Sequence, residues 1–135
     1  MNTLAEDLPV VMPVHPRTRQ RIAEMRFTPR MRLLLTAPLG YLDFLSLSSK
    51  AALVLTDSGG VQEETTFLGI PCLTARPNTE RPVTISMGTN ELVASRSGAI
   101  VEAARRKLGE KYESRRPPLW DGETGERIAE LFARL

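Results

Sequence analysis

Residues 51–75 read AALVLTDSGGVQEETTFLGIPCLTA, and this stretch decides the fold class. An apolar run at 51–56 is followed by a turn of small residues, a helical stretch at 61–68, and Gly69 in the position of a helix C-cap. A second apolar run at 70–75 begins at once, and a continuous apolar strand of this kind is expected to be buried on both faces. The order strand, turn, helix, strand predicts a parallel sheet with a crossover helix.

The same alternation extends outward in both directions. Further strands are predicted at 9–14, 32–36 and 91–94, and further helices at 17–26, 41–50, 97–108 and 122–135. A loop at 76–81 leads to a short helix, which Pro82 is predicted to open at its first position. The sequence therefore predicts an α/β fold, a doubly wound lobe of about five parallel strands that occupies residues 1–135 as a single domain.

Composition excludes several classes of protein. Of the 135 residues, 41% are hydrophobic and 25% charged, a balance typical of a soluble globular domain. The net charge of +2 and the 5% of aromatic residues give no support to nucleic-acid binding. The N-terminus carries acidic residues where a signal peptide would be basic, and no apolar run approaches the roughly 20 residues of a membrane span. We expect neither a nucleic-acid partner nor a membrane.

The single cysteine, Cys72, cannot form an intramolecular disulfide, and His15 is the only histidine. No cluster with zinc-ligand spacing follows from these residues, and a reducing cytoplasmic compartment fits best. Basic residues towards the C-terminal end are predicted to be surface and linker charge; they are Arg105, Arg106, Lys107, Lys111, Arg115 and Arg116.

The turn at 57–60 is the strongest candidate site, because ligands of such folds lie at the carboxyl ends of the strands. Free backbone N–H groups at a helix start, beside glycines, can cradle a phosphate. In isolation, such a turn is more often structural, with Glu63 and Glu64 complementing the helix dipole. A carboxylate aimed at phosphates would be repelled, so at least one of the two acids must point elsewhere. Ribose hydroxyls are a natural partner for it, which favours a nucleoside diphosphate over bare phosphate.

Two further candidates follow other predicted strands. Arg81 precedes a helix and can pair bidentately with a phosphate, or can be a surface arginine paired with Glu80 or Glu64. The helix starts after 57–60 and at 82 could converge on one diphosphate. His15, after the first strand, can act as acid, base or hydrogen-bond donor, although a lone histidine is more often structural.

Five segments resemble, in order and spacing, the non-hydrolysing UDP-N-acetylglucosamine 2-epimerases. They are PVHPRTR at 13–19, PLGYLDF at 38–44, LTDSGGVQEE at 55–64, LGIP at 68–71 and TERP at 79–82. GTN at 88–90, DG at 121–122 and RI at 127–128 continue the likeness, which thus covers nearly the whole chain.

The resemblance implies a Rossmann-like lobe of the two-domain glycosyltransferase-B type, which holds UDP in the cleft between its lobes. By analogy, Ser58, Gly59 and Gly60 would hold the diphosphate, with Arg81 beside it. Glu64 would accept hydrogen bonds from the ribose hydroxyls. Phe44 would lie near the uracil, and His15 would face the sugar as the candidate catalytic residue.

The family reaction, used in cell-surface polysaccharide biosynthesis, interconverts UDP-N-acetylglucosamine and UDP-N-acetylmannosamine by inverting carbon 2 of the sugar. A base removes the C2 proton while UDP leaves C1, and UDP adds back after a proton arrives on the other face. No nicotinamide, other cofactor or metal is implied.

The resemblance covers the C-terminal lobe only, whereas the family's N-terminal lobe carries most of the acid/base groups. The isolated chain is therefore expected to bind UDP weakly without turnover, and to need an N-terminal lobe partner or to form a homo-oligomer. Two alternatives stay open: a lobe of a related UDP-sugar glycosyltransferase or hydrolysing epimerase, and a non-catalytic nucleotide-binding or regulatory module.

Overall fold

A computed structural model describes residues 1–110 and 116–135. Within these ranges the helices are α1 Leu4–Asp7, α2 Pro16–Glu24, α3 Tyr41–Ser48, α4 Gly59–Leu68, α5 Val83–Ser86, α6 Ser97–Gly109 and α7 Thr124–Ala133. The strands are β1 Val10–Pro13, β2 Leu33–Thr36, β3 Val54–Thr56, β4 Cys72–Thr74 and β5 Asn90–Leu92. Strands and helices alternate along the chain from α1 to α6, which is typical of an α/β fold.

The chain forms two compact units, Met1–Lys50 and Ala51–Leu135. In the first unit β1 and β2 pair in parallel, with Val10 opposite Leu33. Val14 and Leu33 are buried there. The core of this unit is small, because α2 contributes no buried residue.

The second unit has a three-stranded parallel sheet in the order β3-β4-β5. Its central strand is buried at every position, and both Cys72 and Leu73 are 0% exposed. This confirms the prediction that the second apolar run is covered on both faces. Helix α4 adds Thr65 and Thr66 to the core, so that this core is partly polar.

The α/β class with parallel strands is confirmed, and the described strands divide into one two-stranded and one three-stranded sheet. The placement of Pro82 at the first position of a helix was wrong by one residue. Pro82 is the N-cap of α5, because its carbonyl already accepts the first helical bonds, from the N–H groups of Ile85 and Ser86. Helix α1 was not predicted, since a single turn carries no periodic pattern. One domain over residues 1–135 stays a prediction.

Lys107 is not the surface charge that its basic neighbours suggested. It is 4% exposed, since it lies on the face of α6 that also buries Ala103 and Ala104. Its Nζ donates to the carbonyl of Thr89 at 2.8 Å, and burial lowers the pKa of its ammonium group. Lys111 and Arg115 lie outside the described residues.

Among the residues that the structure describes, no helix combines the length and the apolar character of a membrane span.

Candidate functional site

The turn between β3 and α4 presents an uncapped helix start. The Ser58 N–H donates to Thr56 Oγ1 at 3.0 Å, which holds the turn against the end of the strand. Ser58 occupies the N-cap position in an extended conformation, but its side chain makes no capping hydrogen bond. The first backbone N–H groups of a helix have no intrahelical acceptor, and they carry the positive end of the helix dipole. This end of the ten-residue α4 is therefore suited to an anion.

The two glycines leave the backbone of this turn open. A methyl group placed on Gly60 would meet nothing within 4 Å, and one on Gly59 would meet only a carboxylate oxygen of Glu80, at 3.9 Å. The space beside both Cα atoms is consequently open to a ligand. At the other end of α4, Gly69 has φ +72°, the left-handed conformation of a helix C-cap, as predicted.

Arg81 is brought to the same helix by an ion pair. Its Nε lies 2.9 Å from Oε1 of Glu63, so its partner is neither of the two acids that the sequence suggested. Helix α5, which follows it, is only four residues long and contributes little dipole. The guanidinium of Arg81, rather than a second helix start, is thus the anion-attracting feature of this loop.

The two acids of α4, Glu63 and Glu64, differ in their partners. Glu63 is paired with Arg81, whereas the carboxylate of Glu64 makes no hydrogen bond or ion pair to any other residue that the structure describes. Its side chain is partly exposed. A carboxylate in this state can accept hydrogen bonds from a ligand's hydroxyl groups.

A second ion pair at the turn was missed from the sequence. Arg76 donates two hydrogen bonds to the Glu80 carboxylate, at 3.0 and 2.6 Å, and these bonds lower the pKa of the Glu80 carboxyl. Glu80 is also the residue that faces Gly59. The position of Arg76, two residues after β4, is a signal that could have found it, because the carboxyl ends of parallel strands share one edge.

A buried polar cluster beneath Arg81 was also missed. We call it the Gln62 network, and its members are Gln62, Thr74, Thr79, Thr84 and Asn90. No local pattern marks these residues, since they come from four elements and a loop.

His15 and Phe44 belong to the first unit. His15 is exposed two residues after the end of β1 and is the N-cap of α2, where its Nδ1 accepts the N–H of Arg17 at 3.3 Å. In a neutral ring the proton then lies on Nε2, which leaves that atom as a donor. Phe44 is half-buried on α3. The binding roles of these two residues stay predictions.

Parallel strands, crossover helices and an open helix start at a strand's carboxyl end define the class: a doubly wound α/β protein. The chain belongs to the UDP-N-acetylglucosamine 2-epimerase family, whose family model matches residues 1–133. The UDP-N-acetylglucosamine 2-epimerase of Methanocaldococcus jannaschii is 39% identical over 130 residues, which cover 93% of this chain and 35% of that protein.

The UDP-2,3-diacetamido-2,3-dideoxy-D-glucuronate 2-epimerase of Pseudomonas aeruginosa is 41% identical over 127 residues, covering 94% of this chain and 35% of that protein. A crystal structure of the Methanocaldococcus jannaschii UDP-GlcNAc 2-epimerase, in complex with UDP-GlcNAc and UDP, matches with a TM-score of 0.81 and 37% identity. The match covers 96% of this chain and 37% of that one. The chain thus spans about a third of the length of these relatives.

Proposed function

We propose that this chain supplies the UDP-binding lobe of a UDP-N-acetylglucosamine 2-epimerase, an isomerase that eliminates UDP and adds it back. The observation that carries the proposal is the uncapped start of α4, open at Gly59 and Gly60, in a chain of this family. A relative that covers nearly all of this chain was crystallised with UDP-GlcNAc and UDP, which supports the same ligand here.

Each site residue has a chemically distinct part in this proposal. Gly59 and Gly60 offer backbone N–H groups to the diphosphate, Ser58 offers the hydroxyl that makes no capping hydrogen bond, and Arg81 neutralises the charge of the diphosphate. Glu64 accepts hydrogen bonds from the ribose hydroxyls, while Phe44 contacts the uracil. His15 faces the sugar, with Nε2 as the atom that can donate.

A reaction that eliminates UDP and adds it back requires the enzyme to retain UDP between the two steps. If UDP escapes after elimination, it cannot add back, and the net result is hydrolysis of the UDP-sugar. The groups that move the C2 proton are assigned to a partner lobe, since the chain spans only about a third of its relatives. We accordingly propose that the chain alone binds UDP without epimerising the sugar. We also propose that it acts in the cytoplasm.

The nucleotide site is tested by a pair of ligands that differ in one hydroxyl group. Calorimetric titration should show that the chain binds UDP more tightly than 2′-deoxy-UDP, because Glu64 contacts the ribose hydroxyls. Glu64→Ala should weaken UDP binding about tenfold, the equivalent of about 1.4 kcal/mol, and should abolish the preference for UDP.

The matched control is Glu102→Ala, which removes an exposed carboxylate from α6 and should leave both affinities unchanged. Absence of UDP binding by the unaltered chain would contradict the proposed function. Binding that survives Glu64→Ala with its ribose preference intact would contradict the role of Glu64 alone.

The sugar is a separate question, because the Pseudomonas aeruginosa relative is named for a different UDP-sugar from the Methanocaldococcus jannaschii one. We propose N-acetylglucosamine as the substrate sugar, since the family model carries that name. Competition between UDP and each of the two UDP-sugars, measured on this chain, tests whether the lobe itself discriminates. Equal displacement by both would assign the choice of sugar to the partner lobe.

A further inference from the structure

Gln62 is a polar residue in the first turn of α4, yet it is 0% exposed. Its Oε1 accepts two hydrogen bonds, from Thr79 Oγ1 at 2.6 Å and from Asn90 Nδ2 at 3.1 Å. Gln62 Nε2 has no hydrogen-bond partner among the described residues, so these two bonds to Oε1 are the ones that hold the side chain. Losing either is costly, because it leaves an unsatisfied group away from water. Gln62 therefore ties the start of α4 to two distant parts of the chain.

The sheet contributes two members of the Gln62 network, one from β4 and one from β5. Asn90, the first residue of β5, accepts a hydrogen bond from Thr74 Oγ1 of β4 at 2.7 Å. Its Nδ2 also donates to Thr84 Oγ1 at 3.1 Å. Thr74 and Thr84 are both fully buried, so these contacts are shielded from water.

The backbone of Arg81 is hydrogen-bonded to two members of the Gln62 network. Its N–H donates to Thr79 Oγ1 at 3.0 Å, and its carbonyl accepts from Thr84 Oγ1 at 2.7 Å. The hydroxyl proton of Thr79 goes to Gln62, so its lone pair is presented to Arg81. The position of the Arg81 backbone is consequently fixed on both sides, while its guanidinium reaches Glu63 on α4.

We propose that Gln62 and Thr79 are positioning residues, which hold Arg81 against the start of α4 so that its guanidinium meets the ligand's phosphates. This inference rests on the proposed function, because it takes UDP as the ligand. The network would act by ordering Arg81 before the ligand binds. An arginine on a mobile loop loses side-chain and backbone entropy when it binds the ligand, whereas an arginine that is already ordered loses less.

The experiment separates positioning from simple stability. Thr79→Val keeps the shape of the side chain and removes the hydroxyl, and Thr79→Ser restores it. Affinities for UDP and for uridine, which has no phosphate, are measured by NMR titration of the full chain. Thr79→Val should weaken UDP binding about tenfold and leave uridine binding unchanged, while Thr79→Ser should bind UDP like the unaltered chain.

A double-mutant cycle with Arg81 supplies the second readout. Arg81→Ala should weaken UDP binding itself, and adding Thr79→Val to Arg81→Ala should cause no further loss, because the two changes act on one contact. The Nε resonance of Arg81, an atom that lies 2.9 Å from Oε1 of Glu63 in the unaltered chain, should change its chemical shift in Thr79→Val. This signal reports on Arg81 without any ligand, and the melting temperature of each variant establishes that it is folded.

Equal weakening of UDP and uridine by Thr79→Val would overturn the inference, as would additive losses in the cycle. Unchanged UDP binding by Thr79→Val, alongside a loss in Arg81→Ala, would overturn it and leave the proposed function standing. Absence of UDP binding by the unaltered chain would contradict both the proposed function and this inference. Gln62→Leu, expected to repeat the Thr79→Val pattern, provides an independent variant in which the same hydrogen bond is lost from its other side.

Discussion

At the scale of single residues, Gly88 occupies a position where no side chain fits. A Cβ atom there would lie 2.5 Å from Thr66 Oγ1, 2.6 Å from Thr66 Cγ2 and 2.6 Å from the carbonyl oxygen of Thr84. Thr66 is fully buried and Thr84 contributes backbone, so neither can move aside cheaply.

We therefore expect Gly88→Ala to lower the free energy of unfolding by about 1–3 kcal/mol, through overpacking. Urea denaturation measures the change. Gly98→Ala is the matched control: it lies in α6 with open space around it, and alanine should leave stability unchanged or raise it by up to about 1 kcal/mol. Equal stability of the two variants would contradict the close approach at Gly88.

Asp121 provides a prediction about pH. Arg127 Nη1 donates to its Oδ1 at 3.1 Å, and the N–H of Glu123 donates to the same oxygen at 3.0 Å. These bonds lower the pKa of the Asp121 carboxyl from 3.8 to about 2. Because the folded pKa lies below the unfolded one, the pair stabilises the fold above pH 3.8, and that contribution is lost as the pH falls through about 2.

The carboxyl carbon shift of Asp121, followed by NMR against pH, should give a midpoint near 2, and Arg127→Gln should move it towards 3.8. Asp121 is exposed, so the overall stability at neutral pH should change little in the variant. A midpoint that stays where it was after the substitution would exclude Arg127 as the cause.

At the scale of elements, the left-handed Gly69 ends α4 and directs the chain into β4. An alanine at φ +72° brings its Cβ too close to the following carbonyl, at a cost of about 1–2 kcal/mol. Gly69→Ala should lower the stability to urea by that amount, and Gly69→Asn by less. Gly109→Ala, in the last position of α6 with open space around it, serves as the control and should cost nothing.

The βαβ arrangement was predictable because local patterns encode it. The apolar run at 70–75, bounded by Gly69, identified β4, and the small residues at 57–60 marked the start of α4. Strand ends were less predictable: the run at 51–56 is apolar throughout, yet only Val54–Thr56 form the strand. An apolar side chain indicates that a position is buried. The end of a strand depends instead on which backbone N–H and C=O groups are hydrogen-bonded to a neighbouring strand.

The candidate site was only partly predictable for a similar reason. Gly59 and Gly60 stand out in the sequence, because a glycine pair after a strand restricts what the turn can be. The Gln62 network has no such signature, since Gln62 and Asn90 lie 28 positions apart and meet only in the folded chain. The burial of Lys107 was hidden in the same way, because its basic neighbours Arg105 and Arg106 are exposed.

At the scale of the whole molecule, apolar side chains of similar size differ sharply in burial. Leu73 in β4 is 0% exposed, whereas Phe132 in α7 is 71% exposed. Leu73→Ala should therefore lower the free energy of unfolding by about 2–5 kcal/mol, by leaving a cavity. Phe132→Ala should change it by less than about 0.5 kcal/mol.

Thermal unfolding of both variants, with circular dichroism as the signal, measures this contrast. Each variant is measured at two protein concentrations. Association of copies of the chain through α7 would make the effect of Phe132→Ala on stability depend on concentration. A large loss of stability in Phe132→Ala at the lower concentration would contradict the exposure of α7.

The central strand β4 meets both of its neighbours at the same distance along the chain. Val54 pairs with Cys72 and Cys72 with Asn90, so each pairing closes a segment of 18 residues. The entropy lost on closing a loop grows only slowly with its length, and here it is the same for both pairings. Loop closure therefore favours neither β3 nor β5 as the first strand to pair with β4.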